Sequence, residues 1–138
     1  MILLDTDSLT LLMKGHSRIV NRVSALAEPI AITIITRIEV LQGRFASVMK
    51  AEDGTKLLLA QHWLDQNERY LSQLTCIPFD NTAAVEFDRL RLKTTLRKVG
   101  RADMLIASIA LAHRSRLITR NLKDFERFPN LKIENWAD

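Results

Sequence analysis

The chain reads as α/β, a three-layer α/β/α sandwich around a central parallel β-sheet, and three features of the sequence predict it. Short runs rich in Ile, Leu or Thr recur along the chain, as expected of strands buried on both faces. Amphipathic helical stretches lie between them on short connections. One late stretch, Ala102 to Arg114, is apolar nearly all round, so it must be buried.

Element by element, strands are expected at Ile2 to Leu4, Ile30 to Ile34, Thr75 to Phe79, Arg116 to Thr119 and Leu131 to Glu134. A first helix begins around Asp7 or Ser8. Ser17 to Ala27 carries Ile19, Val20, Val23 and Leu26 at helical spacing and ends before Pro29. Thr36 to about Met49 sets Ile38, Leu41 and Phe45 on one side, and Asp53-Gly54 reads as a turn. Thr55 to Leu74 has Leu57, Ala60, Leu64, Leu71 and Leu74 at three- and four-residue steps, a strong amphipathic helix. Another helix is expected from Asn81, after Asp80, to about Lys98, with Gly100 as its stop. The βαβα alternation implies right-handed crossovers.

With 138 residues and 47% apolar content, the chain fits one domain, residues 1–138, with a sizeable core. It shows no internal repeat, low-complexity tract or Pro/Gly linker. Cys76 is the single cysteine, which excludes an intrachain disulfide framework and fits a reducing cytoplasm. The start, Met1-Ile-Leu-Leu-Asp5, lacks the basic and long apolar regions of a secretion signal, and the longest apolar run, Met104 to Ala112, is too short to span a bilayer. A cytoplasmic protein with no membrane partner is expected. Formal charge is +4 and pI about 9.6, which suits a polyanionic partner. Between Arg89 and Arg101 there are six cations and no acid; on one helix Arg89, Lys93 and Arg97 would form a basic stripe at i, i+4, i+8, with Arg101 following. A solvated helix face is the plain alternative.

Asp5, Glu39, Asp103 and Asp124 each sit just past an apolar or β-branched run and in the first turn of an expected helix. In a parallel sheet the strand ends that feed helices share one edge, so the four carboxylates can converge there. Unpaired acids held together need a cation, and carboxylate oxygens suit Mg²⁺ or Mn²⁺. Each acid also has a structural role open to it. Glu39 follows Thr36 as a capping box, and Asp124 follows Asn121 in the same register. Asp103 lies at a helix start that favours negative charge, and Asp5 suits an N-cap. Context argues for more, since Asp103 opens the most buried helix and Asp5 ends the most apolar strand; charges beside buried elements need a partner or a metal.

Other catalytic kits are absent: His16, His62 and His113 lack zinc-ligand spacing, there is no Gly-x-Ser-x-Gly elbow, and the four glycines form no phosphate loop. Trp63 falls on the amphipathic helix, and Trp136 is expected to pack the C-terminal segment against the sheet.

Four segments in order, Ile2-Leu3-Leu4-Asp5-Thr6-Asp7, Thr33-Ile34-Ile35-Thr36-Arg37-Ile38-Glu39, Val99-Gly100-Arg101-Ala102-Asp103-Met104-Leu105-Ile106-Ala107 and Leu117-Ile118-Thr119-Arg120-Asn121-Leu122-Lys123-Asp124-Phe125, resemble the PIN-domain ribonucleases. Within that family the pattern is most similar to the VapC toxins of bacterial toxin–antitoxin modules, and Phe128 to Trp136 resembles the usual ending. The resemblance implies a Mg²⁺- or Mn²⁺-dependent endoribonuclease that hydrolyses transfer or ribosomal RNA with one or two ions, leaving a 5′-phosphate and a 3′-hydroxyl. It implies Asp5, Glu39 and Asp103 as core metal ligands. Relatives carry the fourth acid where this chain has Asn121 or three residues on; Asp124 is the expected ligand, with Asn121 and the Thr119 hydroxyl as polar support. Thr6 and Asp7 flank the site, and Asp7 departs from the pattern, an uncharged Asn or Ser being common there. Arg89, Lys93, Arg97 and Arg101 are the expected RNA contacts. A VapB-like antitoxin whose tail covers the acids, often with an Arg or Lys, and a homodimer through apolar helix surface are the implied partners.

Two other readings fit parts of the pattern. Asp5-Thr6-Asp7 resembles the Asp-x-Asp loop of haloacid-dehalogenase-type phosphatases, with Asp5 as nucleophile; that family wants Thr or Val where Leu9 stands and a late acid pair, and neither is found. A catalytically inactive PIN-like RNA-binding module, or a phospho-receiver using Asp80, is the non-enzymatic alternative. The first should have lost carboxylates, and the second leaves Glu39, Asp103 and the basic stripe without roles.

Overall fold

Ile2–Leu4 has no side chain suited to water, and the computed structural model, which describes residues 1–138, buries all three as β1 at the centre of a five-stranded sheet. Around it stand β2 (Ile30–Thr33), β3 (Thr75–Ile77), β4 (Arg116–Ile118) and β5 (Lys132–Glu134), in the order β3-β2-β1-β4-β5. Every neighbouring pair is parallel; Leu3 lies opposite Ala31 on one side and Leu117 on the other. The helices are α1 (Thr6–Met13), α2 (Ser17–Ser24), α3 (Ile34–Lys50), α4 (Gly54–Ser72), α5 (Asn81–Leu90), α6 (Arg101–Ala112) and α7 (Leu122–Phe125).

Alternation along the strands divides the core in two. Leu3, Ala31, Ile77 and Leu117 point to one face, where Ala83 and Leu90 of α5, Ile106 and Ile109 of α6 and Phe125 of α7 cover them. Ile2, Leu4, Ile32 and Ile118 point to the other, under Leu9, Ile19, Val40 and Leu71 of α1 to α4, together with Trp136. This is the expected three-layer sandwich. Trp136 packs as expected and also donates its indole N–H to Glu134 Oε2 at 2.7 Å.

Three expectations need correction. First, α3 begins before Thr36: Thr33 is its N-cap and accepts from Thr36 N at 3.2 Å, so Glu39 makes no capping box. The chain can turn into helix directly from β2 because Thr33 supplies the cap at the strand's own end.

Second, α4 leaves most of its expected apolar row in the open. Leu71 is buried, Ala60 and Leu64 are half-buried, and Leu57, Leu58, Leu59 and Trp63 are exposed. Within the isolated chain only the last part of α4 reaches the sheet layer.

Third, the expected helix from Asn81 to Lys98 stops at Leu90. Continued helix would stack Arg89, Lys93 and Arg97 one turn apart, where like charges repel. Instead Lys93 is extended and a 3-10 turn, Thr94–Leu96, lets Leu96 and Val99 into the core. The basic stripe is therefore broken: Arg89 pairs with Glu86 on α5, and Arg97 is exposed in the loop beyond.

Candidate metal centre

Each of the four acids is placed by a separate element. Asp5 leaves β1 still in register, its N–H donating to Ile118 O at 3.0 Å, and its Oδ1 caps α1 by accepting from Ser8 N at 2.9 Å. Glu39 stands on α3 just past its first turn, and Asp103 lies in the first turn of α6. Asp124 belongs to the short α7, which follows the end of β4. All four therefore gather beside the edge where β1, β2 and β4 end, the convergence that a parallel sheet with helical connections allows.

The electrostatics confirm their closeness. Asp5 is only 7% exposed, and burial pushes its carboxyl above the usual carboxylate range, with Asp7 adding to the rise and the Thr119 hydroxyl and Ser8 opposing it. Asp103 is raised too, by burial first and then by Asp5, Glu39 and Asp124, while Asn121 holds it down. None of the four makes an ion pair, whereas Glu52, Asp65, Glu86, Asp88 and Glu134 all find a basic partner.

Neutral groups hold them in place. Asn121 Nδ2 donates to Asp124 Oδ2 at 3.0 Å and to Asp103 Oδ2 at 3.3 Å, so one amide bridges two acids. Asn121 itself is fixed by its N–H, which donates to Thr119 Oγ1 at 3.0 Å. Thr6 Oγ1 donates to Glu39 Oε1 at 2.6 Å and lies 3.2 Å from Thr36 Oγ1. No three of these side chains stand close enough together to hold a metal ion directly between them. The donor set still fits a hard cation that keeps several waters and takes one or two carboxylates directly, as Mg²⁺ does. The acid cluster has like charges to relieve and only oxygen donors to offer.

The supporting residues sort differently. Thr6, Thr119 and Asn121 lie within the cluster, as expected. Asp7 is exposed and faces Arg120 at 3.6 Å, so it neither caps α1 nor joins the hydrogen-bonded group. Arg101 starts α6 two residues before Asp103 and stacks over Phe87, its guanidinium 5.4 Å from the ring centre. Asp80 caps α5 through Ala83 N at 2.9 Å and lies 3.5 Å from His113, away from the other acids.

Sequence reasoning missed one polar pair beside Glu39. Arg44 Nε donates to Asn67 Oδ1 at 2.7 Å, and both line a groove of about 290 Å³ that reaches Thr6 and Glu39. A signal existed: the row Leu57, Ala60, Leu64, Leu71, Leu74 skips one step, and Asn67 occupies it. A polar residue at an apolar position of a helix face, here 7% exposed, marks a satisfied polar contact or a site.

Known proteins resemble this chain along nearly its whole length. Residues 2–131 match the PIN domain family. Ribonuclease VapC2 of Rickettsia felis is 32% identical, covering 97% of this chain and 96% of its own length. The tRNA(fMet)-specific endonuclease VapC of Salmonella typhimurium is 27% identical over 98% of this chain and 97% of its own. The crystal structure of VapBC2 from Rickettsia felis, bound to a DNA fragment from their promoter, contains a chain that superposes with a TM-score of 0.77 at 31% identity, covering 99% of both chains.

Proposed function

The chain belongs to the PIN-domain family, and within it to the VapC ribonucleases, and on that premise we propose that Asp5, Glu39, Asp103 and Asp124 form the centre with which it cuts RNA. It is an endoribonuclease, the toxin of a toxin–antitoxin pair, and its reaction depends on a divalent metal. The observation that supports this centre is the meeting of four carboxylates from four elements with no basic partner.

Mg²⁺, or Mn²⁺ in its place, is the proposed ion, held by Asp5, Glu39, Asp103 and Asp124 directly or through water. The chemistry such an ion supplies is that of a Lewis acid, which activates water near neutral pH and neutralises charge growing on the phosphate oxygens. The chain's own work is orientation. Asp5 is held by the α1 cap through Oδ1 and by the Thr119 hydroxyl. Asn121 turns Asp103 and Asp124 toward one another, and Thr6 fixes Glu39, so that none of these carboxylates must be ordered when RNA arrives. Arg101, two residues before Asp103, is the proposed contact to the phosphate backbone.

The antitoxin neutralises the enzyme, and it needs surface to bind. Phe45 and Met49 of α3 and Leu57, Leu58, Leu59 and Trp63 of α4 are exposed on a pair of packed helices. This apolar area is the proposed seat for partner chains, the antitoxin and a second copy of the toxin. A structured RNA, transfer or ribosomal, is the proposed substrate, in keeping with the named tRNA specificity of the Salmonella relative. No helix is long and apolar enough to cross a membrane.

The direct test is cleavage of transfer RNA by the purified chain, free of antitoxin. Cutting should require Mg²⁺ or Mn²⁺, stop with EDTA and disappear in the Asp5→Asn, Asp103→Asn double variant. Full cleavage by that variant in EDTA would overturn the assignment.

A further inference from the structure

At the edge of the sheet opposite the acids, a cleft of about 320 Å³ opens between α5, the end of α6 and the start of β5. Arg89, Arg114 and Lys132 line it, with Glu86 as the one acid, so the lining carries a net charge of +2 (three cations less one anion). The metal centre does not account for these residues, and of the broken basic stripe only Arg89 is among them. No aromatic side chain lines the cleft, so it lacks the aromatic platform on which bases commonly stack.

Two local features set the cleft apart from a solvated surface. Arg114 (φ 50°) and Asn130 (φ 68°) are the chain's only non-glycine residues with left-handed backbone, and both line it. Asn tolerates that conformation, whereas Arg does not favour it. Arg114 stands just past the C-cap of α6, where its N–H donates to Leu111 O and the next N–H, of Ser115, donates to Ala110 O. Glycine is the usual residue at that position of such a motif. A cation there suits the helix dipole, but that would not require this cation to stand on this backbone. The second feature is Ser115 itself, a lining residue 3% exposed, whose buried hydroxyl has no hydrogen-bond partner within the protein. Arg114 and Lys132, neither of them in an ion pair, are what a phosphate draws, and a turn of the Ser115 side chain toward the cleft would add a donor.

We propose that this cleft binds a backbone phosphate of the RNA substrate, so that the enzyme grips RNA at both edges of its sheet. The inference rests on the ribonuclease reading above. Recognition of phosphate without a base-stacking surface fits a polymer whose sequence is read elsewhere. The distance sets the size of RNA required. From Asp103 to Arg114 along α6 is roughly 16 Å, at about 1.5 Å per residue. That equals four to five steps of a stacked strand at about 3.4 Å each. A trinucleotide cut at the metal centre therefore does not reach the cleft, and a transfer RNA does.

The test compares the wild type with an Arg114→Gly, Lys132→Gln variant on two substrates, a trinucleotide and an intact transfer RNA, in Mg²⁺. Glycine suits the backbone at 114, and a thermal melt checks that the variant folds. The proposal expects kcat/KM on transfer RNA to fall about tenfold, with trinucleotide cleavage unchanged. Anisotropy with transfer RNA, in an Asp103→Asn background that keeps it whole, should show the slope of log affinity against log salt reduced by about 0.7 per lost single-strand phosphate contact. Equal losses on both substrates, or an unchanged salt slope, would overturn it. So would inorganic phosphate shifting the Ser115 and Asn130 amide resonances of the wild type while transfer RNA leaves them in place, since the ligand would then be free phosphate. A wild type that cleaves neither substrate refutes the nuclease reading instead, and the salt slope still judges the cleft.

Discussion

At one edge of the sheet, where β1, β2 and β4 end, four acids gather, two of them bridged by the Asn121 amide; at the other, where β4 and β5 begin, three cations line an open cleft and one of them is already paired. The acid edge is partly buried and uncompensated, so burial raises the carboxyl pKa of Asp5 and of Asp103, and the charges of Asp5, Glu39 and Asp124 raise Asp103 further. The basic edge is exposed. Charge kept in a low-dielectric site without a counter-ion is unfavourable in the free protein, and it strengthens any interaction with an arriving cation. Exposed charge contributes little either way until a polyanion spans it. The two edges thus predict opposite results for charge removal: at the acid edge activity falls while stability holds or rises, and at the basic edge both change little unless long RNA is present.

The largest effect should come from Asp103→Asn. Loss of a carboxylate that holds the ion weakens the ion's stabilisation of the developing charge, and kcat should fall on the order of 10²–10³-fold. The metal-free variant should melt no lower than the wild type at pH 7, because a like charge is gone; calorimetry with EDTA reads this directly. A clear drop in melting temperature would mean that Asp103 is structural and would erase the contrast between the edges. Asn121→Ala comes next. Without the amide that bridges Asp103 and Asp124, Mg²⁺ affinity measured by titration calorimetry should weaken about 10–100-fold, the range typical of groups that orient metal ligands. Unchanged affinity would remove Asn121 from the site.

A pH series sharpens the comparison further. Asp5 and Asp103 have folded-state pKa values above their ordinary ones, so the folded protein holds protons that the unfolded chain releases. Their contribution to stability is fully present below the ordinary carboxylate range and is lost as pH rises through the raised values. Metal-free melting temperatures should therefore decline over that window through these two groups, and the Asp5→Asn, Asp103→Asn variant should decline less. Asn keeps the α1 cap at position 5, so the cap does not confound the result. Saturating Mg²⁺ should flatten the wild-type curve at high pH, adding about 2.7 kcal/mol at a hundredfold excess over Kd.

The smallest effect belongs to the basic edge. Arg114→Gly relieves a left-handed arginine but gives up a cation at a helix C-terminus, terms of opposite sign near 1 kcal/mol each. Net stability by urea unfolding should stay within about 1 kcal/mol of the wild type, against a much larger change in long-RNA cleavage. A loss well beyond that would make Arg114 a fold residue.

The sequence by itself determined the layered α/β class and the four acids, because both rest on local rules: runs of Ile and Leu with no polar face have to be interior strands, and acids that follow such runs fall at the strand ends of a parallel sheet. Thr6, Thr119 and Asn121 were expected beside them only through the resemblance to the PIN-domain ribonucleases. Only the tertiary structure decided where the second helical half ends. The stretch from Asn81 to Lys98 has helical periodicity, yet Leu96 and Val99 reach the core only if the chain leaves the helix after Leu90, and that choice scattered the basic stripe. It also decided that Glu39 meets Thr6 rather than its own helix cap, that Asp7 turns to Arg120, and that Arg114, Ser115 and Lys132 share a cleft with Arg89, more than twenty residues away in sequence. Periodicity reports which face a residue occupies, whereas a site depends on which distant faces are packed against one another, and that is fixed by competition for the core.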